Sequence, residues 1–288
     1  MAVSAPNTVA HGTIKAKLNF SKPPPEGVVA FNYTDTPPAG QPQNNLERVQ
    51  HEVEIEDVRG RESEYTLDRD AFQIIRGVSE SSETSFTDDD SIRANYYPEV
   101  ERLLLDNIPG STRVFLFDHT IRRADPAAKR KAVQVVHIDQ TAWSAEKRVR
   151  SHMGDDDDDA EKLLQGRYRI VNIWRPLNKK PVESMPLAFA ASHSVEQKDL
   201  IPVEHRYPHG YTGQTAAVAH NPGQKWHYLS GMTGDERILL ECFDSEALKE
   251  GTTVQGGRVP HTAFEHPLTP PDAEGRESIE VRALVFGP

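Results

Sequence analysis

Beyond about residue 110 the chain reads as a succession of short strands, and that feature restricts its fold more than any other. In "YRIVNIWRPL", Ile170, Asn172 and Trp174 alternate with Val171, Ile173 and Arg175 before Pro176 closes the stretch, the period of two that a strand imposes. "TRVFLFDHTIRR", "HYLSGMTGDERILLECFDS" and the terminal "ESIEVRALVF" also carry strands, with Gly and Pro turns between such segments. Helical pattern falls mostly at the front. In "TDDDSIRANYYPEVERLLLDNIPG" acidic residues open a helix, Leu103, Leu104 and Leu105 lie near its end, and Pro109-Gly110 stops it. No repeat of about 20–50 residues is visible, which argues against a propeller or solenoid. The expectation is a mainly β protein, a barrel or sandwich with flanking α-helices.

The 288 residues are read as a single domain: residues 1–110 supply an N-terminal arm, strands and a helix that pack on a core at 111–288. A net charge of −11, spread widely, excludes the basic patch of a nucleic-acid binder. The N-terminus lacks the pattern of a secretory signal, and no window approaches the apolar length of a membrane span. A lone cysteine, Cys242, cannot form an internal disulfide and reads as a small buried hydrophobe. A cytoplasmic protein is expected, with no nucleic-acid or membrane partner. A small-molecule substrate and, at most, a second copy of the chain are the expected partners.

Chemistry enters at "AVQVVHIDQTAW". Read as a buried strand, this segment puts Val133, Val135, His137 and Asp139 on one face. A buried carboxylate is costly unless something positive meets it, so a partner side chain or a metal is expected. Two ligands from one strand plus a distant histidine make the facial triad that holds non-haem Fe(II) with open positions. His227 and His261 are the contenders for the third ligand. His261 is favoured, because fifteen residues later Arg276 and Ser278 open the last strand. A guanidinium fork with a hydroxyl beside it can seat the distal carboxylate of 2-oxoglutarate.

Other polar features have plainer readings. The run Asp155–Asp159 suits a helix N-terminus, with Gly166 ending that helix. His205 and His209 in "EHRYPHGYTG" read as a loop without metal-binding spacing, and His119 as a satisfied histidine at a strand end. Asn172 or Arg175 is a candidate at the co-substrate, against a structural ion pair for Arg175. Arg282, at even spacing from Arg276, is a reserve anchor.

H-x-D on one strand, a distal His and then R-x-S resemble the Fe(II)/2-oxoglutarate oxygenases of the double-stranded β-helix (jelly-roll, cupin-like) fold. More narrowly, "VFLFDHTIRR", "VVHIDQTA", "RIVNIWRPLNKKPVESMPLA", "LLECFDS", "PHTAFEHP" and "RESIEVR" resemble a mainly fungal group. It comprises gibberellin-desaturase-like proteins, AsaB-type hydroxylase/desaturases and CmcJ-like proteins. The resemblance covers about residues 110–288 and the front third only loosely. It implies iron held by His137, Asp139 and His261, with 2-oxoglutarate anchored by Arg276 and Ser278 and dioxygen as second co-substrate. It further implies hydroxylation, desaturation or cyclisation of a small secondary metabolite. Because Asp139 is present, halogenation is not expected. Two other readings fit the residues alone: a cupin-like metal enzyme that does not use 2-oxoglutarate, and a metal-free accessory protein of a biosynthetic pathway.

Overall fold

Strands form where the alternation predicts them in the computed structural model, which describes residues 9–125, 131–153, 157–208, 210 and 212–287. In chain order the elements are β1 (Ile14–Ser21), β2 (Ala30–Tyr33), β3 (Arg48–Asp57), the single-turn α1 (Leu67–Asp70), β4 (Phe72–Ile75), α2 (Asp89–Asn107), β5 (Arg113–Arg122) and β6 (His137–Ile138). There follow α3 (Ala142–His152), α4 (Asp157–Gln165), β7 (Tyr168–Pro176), β8 (Leu187–Ala190), β9 (Leu200–Arg206) and β10 (Thr212–Val218). The chain ends through β11 (Trp226–Tyr228), β12 (Arg237–Asp244), β13 (His261–Ala263) and β14 (Ser278–Phe286). Nine strands form one sheet in the order β1-β3-β11-β8-β13-β6-β10-β9-β2, and five form a second in the order β4-β12-β7-β14-β5.

The two sheets face each other. Trp174, Ile238 and Leu240 of the smaller one pack against Leu187 and Phe189 of the larger. Residues of opposite parity on the smaller sheet, among them Val171, Ile173, Leu239, Ile279 and Val281, turn outward and are covered by α2. That helix buries Ile92, Tyr96, Val100 and Leu104, each four residues from the last, the stripe a sheet-covering helix needs. Asp88 caps it by accepting from the Ser91 amide at 2.8 Å. Gly110, at φ 76°, carries the chain out after it ends. Pro98 sits inside α2 and costs the bond it would have donated to Ala94. Both residues are exposed, so the freed carbonyl meets water.

The front of the chain is more than an arm on the core. β1, β2 and β3 are strands of the large sheet and β4 is an edge of the small one. Two local expectations are corrected. Only His137–Ile138 of the segment from Ala132 to Asp139 is a regular strand. Upstream, the backbone divides its bonds between neighbours, Val136 donating to Asn19 and Ala263 donating to Val133, so no single ladder forms. His205 belongs to β9, paired opposite Gly213 of β10, where a loop was expected; His209 lies outside the described residues. Of the acidic run, residues 155 and 156 also lie outside them, and α4 begins at Asp157.

Immediately after Asp139, Thr141 accepts from the Ser144 amide while the Ser144 hydroxyl accepts from the Thr141 amide. This capping box turns the chain into α3. Cys242 is fully buried, as its small apolar character suggests. Among the described residues no helix is long and apolar enough to cross a membrane.

The sheet–helix layer yields a stability test. Leu104 is 0 % exposed beneath α2, so Leu104→Ala is expected to lower unfolding free energy by about 2–5 kcal/mol, read from urea denaturation. A loss under about 1 kcal/mol would mean that α2 does not cover the small sheet tightly.

Candidate metal centre and co-substrate seat

Register brings the histidines together. β6 lies between β10 and β13, with His137 opposite Ala217 on one side and opposite His261 on the other. Directly opposed residues of antiparallel strands share a face, and the two imidazole centroids are 4.5 Å apart. Each ring is oriented in the same way: Nδ1 of His137 bonds the Val135 carbonyl at 2.8 Å, and Nδ1 of His261 bonds the Val259 carbonyl at 3.1 Å. A carbonyl only accepts, so Nδ1 carries a proton, and in the neutral ring Nε2 presents its lone pair. That second bond is how ligand histidines are held for a metal.

Asp139 completes the set. Its Oδ1 lies 3.3 Å from His137 Nε2, and one donor atom from each of His137, Asp139 and His261 falls within 4.8 Å of the others. Neighbouring donors of an ion bound at about 2.1 Å stand about 3 Å apart, so two nitrogens and one carboxylate oxygen fit a divalent cation with modest contraction. This donor set, on one side of the ion, is that of non-haem Fe(II).

The small sheet supplies what holds the carboxylate. Asn172 of β7 and Arg282 of β14 are register partners, and both donate to Asp139 Oδ2, at 2.8 and 2.9 Å. Oδ1 is left to face the histidines. Arg282 also donates to Asp118 at 3.0 Å, Thr120 at 3.2 Å and Glu280 at 2.6 Å. Burial would raise the pKa of Asp139, but Arg282 foremost, with the histidines, holds it well below the usual carboxylate range. His261 is pushed down to about 4, by burial and by His137. It is therefore neutral, as a ligand must be. Burial also acts to lower His137, but contact with Asp139 leaves it raised.

At the start of β14 and two residues before it, Ser278 and Arg276 are 1 % and 6 % exposed. The Arg276 guanidinium lies over the Trp174 ring at 5.5 Å and donates through Nη1 to the Met185 carbonyl at 2.9 Å. Its Nε has no hydrogen-bond partner. Burial, and then the neighbouring Arg122, pushes it down to about 10. A buried cation with an unused donor is a seat for an anion.

The other sequence candidates fall elsewhere. Arg175 points to the outer face, its guanidinium 5.0 Å from the Phe86 ring and 5.3 Å from that of Tyr96. Parity decides this: Asn172 and Trp174 turn inward, so the next residue turns out. His227 stands among Tyr65, Phe72 and Phe189, apart from the three clustered ligands. His119 bonds Tyr97 at 3.0 Å and lies 3.3 Å from Asp89, a satisfied histidine as expected. Sequence reasoning missed Glu280, although its even spacing from Ser278 and Arg282 marks it as inward. Asp118, Thr120 and Arg122 needed the pairing of β5 with β14, which no local pattern announces.

Comparison with known proteins agrees with this geometry. A family model described as an oxidoreductase/YMDC permease-like domain matches residues 18–286. The hydroxylase/desaturase poxK of Penicillium oxalicum is 40% identical over 274 residues, covering 87% of this chain and 83% of the relative. The Fe(II)/2-oxoglutarate-dependent dioxygenase nvfI of Aspergillus novofumigatus is 30% identical over 279 residues, covering 95% and 96%. A solved structure of the iron and alpha-ketoglutarate-dependent endoperoxidase NvfI superposes with a TM-score of 0.85 at 28% identity, covering 96% of this chain and 99% of that one. With its two facing sheets and its His-Asp-His cluster, the chain belongs to the family of jelly-roll hydroxylase/desaturases and Fe(II)/2-oxoglutarate-dependent dioxygenases.

Proposed function

We propose that this protein is a non-haem Fe(II)/2-oxoglutarate-dependent oxygenase that removes hydrogen from a C–H bond of a small secondary metabolite. The outcome is hydroxylation, desaturation or oxidative cyclisation, coupled to decarboxylation of 2-oxoglutarate to succinate and CO2. In hydroxylation one atom of dioxygen enters succinate and the other the product. The observation that carries the proposal is the cluster of His137, Asp139 and His261, set on the same inward side as the buried Arg276 and Ser278.

In this reading His137, Asp139 and His261 hold the iron, which supplies the activation of dioxygen when bound. Each protein group has a separate task. The Val135 and Val259 carbonyls fix the imidazole tautomers. Asn172 and Arg282 occupy Asp139 Oδ2, so the carboxylate offers one oxygen and leaves neighbouring coordination positions to the 2-oxo acid. Arg276 and Ser278 take the distal carboxylate, and that fixes which end of the co-substrate points to the metal. The surrounding apolar core, including Phe189, Leu240 and Trp174, keeps bulk water from this side and strengthens each of these charge contacts. Binding and orientation are the protein's part, and the hard chemistry belongs to the metal.

The cupin-like alternative, a metal enzyme that ignores 2-oxoglutarate, does not explain a buried Arg276 with an unused donor. The metal-free accessory reading does not explain two imidazoles and a carboxylate whose donor atoms gather within 4.8 Å of one another.

Two tests follow from the site. Anaerobically prepared protein given Fe(II) and 2-oxoglutarate, then air, is expected to form succinate. His137→Ala should abolish it, and Arg276→Ala should raise KM for 2-oxoglutarate by about 10–100-fold. Failure of the wild-type protein to bind either Fe(II) or 2-oxoglutarate would sink the assignment. The second test concerns the clamp on Asp139. Arg282→Lys keeps the charge but loses the fork, and should weaken Fe(II) or Mn(II) binding about 10-fold in titration calorimetry. Unchanged affinity would show that Asp139 needs no such support.

A further inference from the structure

We propose that a cavity behind the ligand strand is a second binding site, one that takes an apolar organic acid and holds it by Arg258. This goes beyond the oxygenase reading and does not require it.

Register separates the cavity from the metal centre. Ile138 of β6 stands opposite Ala216 of β10, which in turn stands opposite Pro202 of β9. Opposed residues share a face and successive residues alternate, so these three turn away from the side that carries His137 and Ala217. They line a cavity of about 330 Å³ in which none of His137, Asp139 and His261 takes part, a size within the range of small-molecule sites. On one side stands Trp143, at the entry to α3, where the Thr141 hydroxyl donates to Gln214 Oε1 at 2.5 Å and ties the helix start to β10. On the other stand Phe243 and Leu248, then Gly257 and Arg258 just before β13. Gly257, at φ 94°, passes so close to Asp244 and Ala247 that a Cβ on it would lie 3.0 Å from each of theirs.

The surface of the cavity is chiefly apolar, yet it contains an unbalanced charge. Arg258 is partly buried and donates to the Gln197 side-chain oxygen, a neutral acceptor. No ion pair of Arg258 occurs among the described residues. Burial lowers its pKa, and no carboxylate acts against that. Asp244, the acid in the lining, is itself buried and bonded to Arg167 at 2.5 Å. A guanidinium drawn out of water without a counter-charge favours an anion beside it. Trp143 and Leu248 are 45 % and 58 % exposed, whereas Trp174 and Trp226 are buried. These features together define the ligand: an apolar ring system or chain to cover Ile138, Phe243 and the indole, ending in one carboxylate for Arg258. A neutral molecule of the same shape would leave the cation unmatched.

The probe is 2-naphthoate, with 2-naphthalenemethanol as its neutral counterpart. Each would be titrated by calorimetry into anaerobic Fe(II)-loaded protein with 2-oxoglutarate in excess, so that the seat at Arg276 is filled. Naphthoate is expected to bind once per chain, about 10-fold tighter than the alcohol. Arg258→Gln should weaken naphthoate about 10-fold and the alcohol less than about twofold, with the urea midpoint unchanged. Trp143→Ala should weaken both. The same naphthoate affinity is expected in His137→Ala, so failure of the oxygenase reading would not carry this one with it. No binding of naphthoate up to about 1 mM, equal affinity for acid and alcohol, or indifference to Arg258→Gln would overturn the inference. Displacement by 2-oxoglutarate or loss in His137→Ala would overturn it too, by placing the naphthoate at the metal.

Discussion

The bond between Arg282 and Asp139 joins the two halves of the molecule at the point where its chemistry would occur. One sheet carries the three metal-type ligands; the other carries the guanidinium that makes a buried aspartate tolerable. Without that cation, Asp139 would be driven toward its neutral form by burial, and a protonated carboxyl is a poor ligand. Arg282 is in turn held by Asp118, Glu280 and Thr120, so its direction depends on the pairing of β5 with β14. Sheet register, helix cover and ligand geometry are therefore parts of one constraint.

Much of the site could be read from the chain because it is built on local order. His137 and Asp139 are two residues apart, and Arg276, Ser278, Glu280 and Arg282 fall on one face by simple alternation. His261 could be preferred to His227 through the Arg and Ser that follow it, and the structure does group it with His137. Alternation alone went too far at the start of the ligand segment. Val133 and Val135 look like strand residues, yet the Val133 carbonyl accepts from Ala263 at the end of β13, while the neighbouring Gln134 and Val136 bond Asn19 of β1. It also left the sign of Arg175 open, because period two gives two faces and does not say which is inside. The aromatic pair Phe86 and Tyr96, from a distant helix and its approach, settles that question.

What sequence could not supply was the partner of each strand. The inward file Asp118, Thr120 and Arg122 lies more than 150 residues from its mates on β14, and nothing local encodes that meeting. The early strands posed the same difficulty. β3 meets β11 in parallel, and β2 meets β9 in parallel, connections that need long returns of the chain. They explain why a segment that seemed a peripheral arm is woven into the large sheet.

The single cysteine shows a different consequence of the same packing. Cys242 lies on β12, fully enclosed, and burial first, then the charges of Asp139 and Glu280, raise its pKa well above normal. It is therefore a thiol and not a thiolate at any physiological pH. Oxidation by peroxide runs through the thiolate and requires access. An enzyme that turns over dioxygen without always finding its substrate releases oxidants at its own centre. Here the chain's single thiol is kept in its inert form, so the fold shields that side chain from oxidants formed in the protein it belongs to.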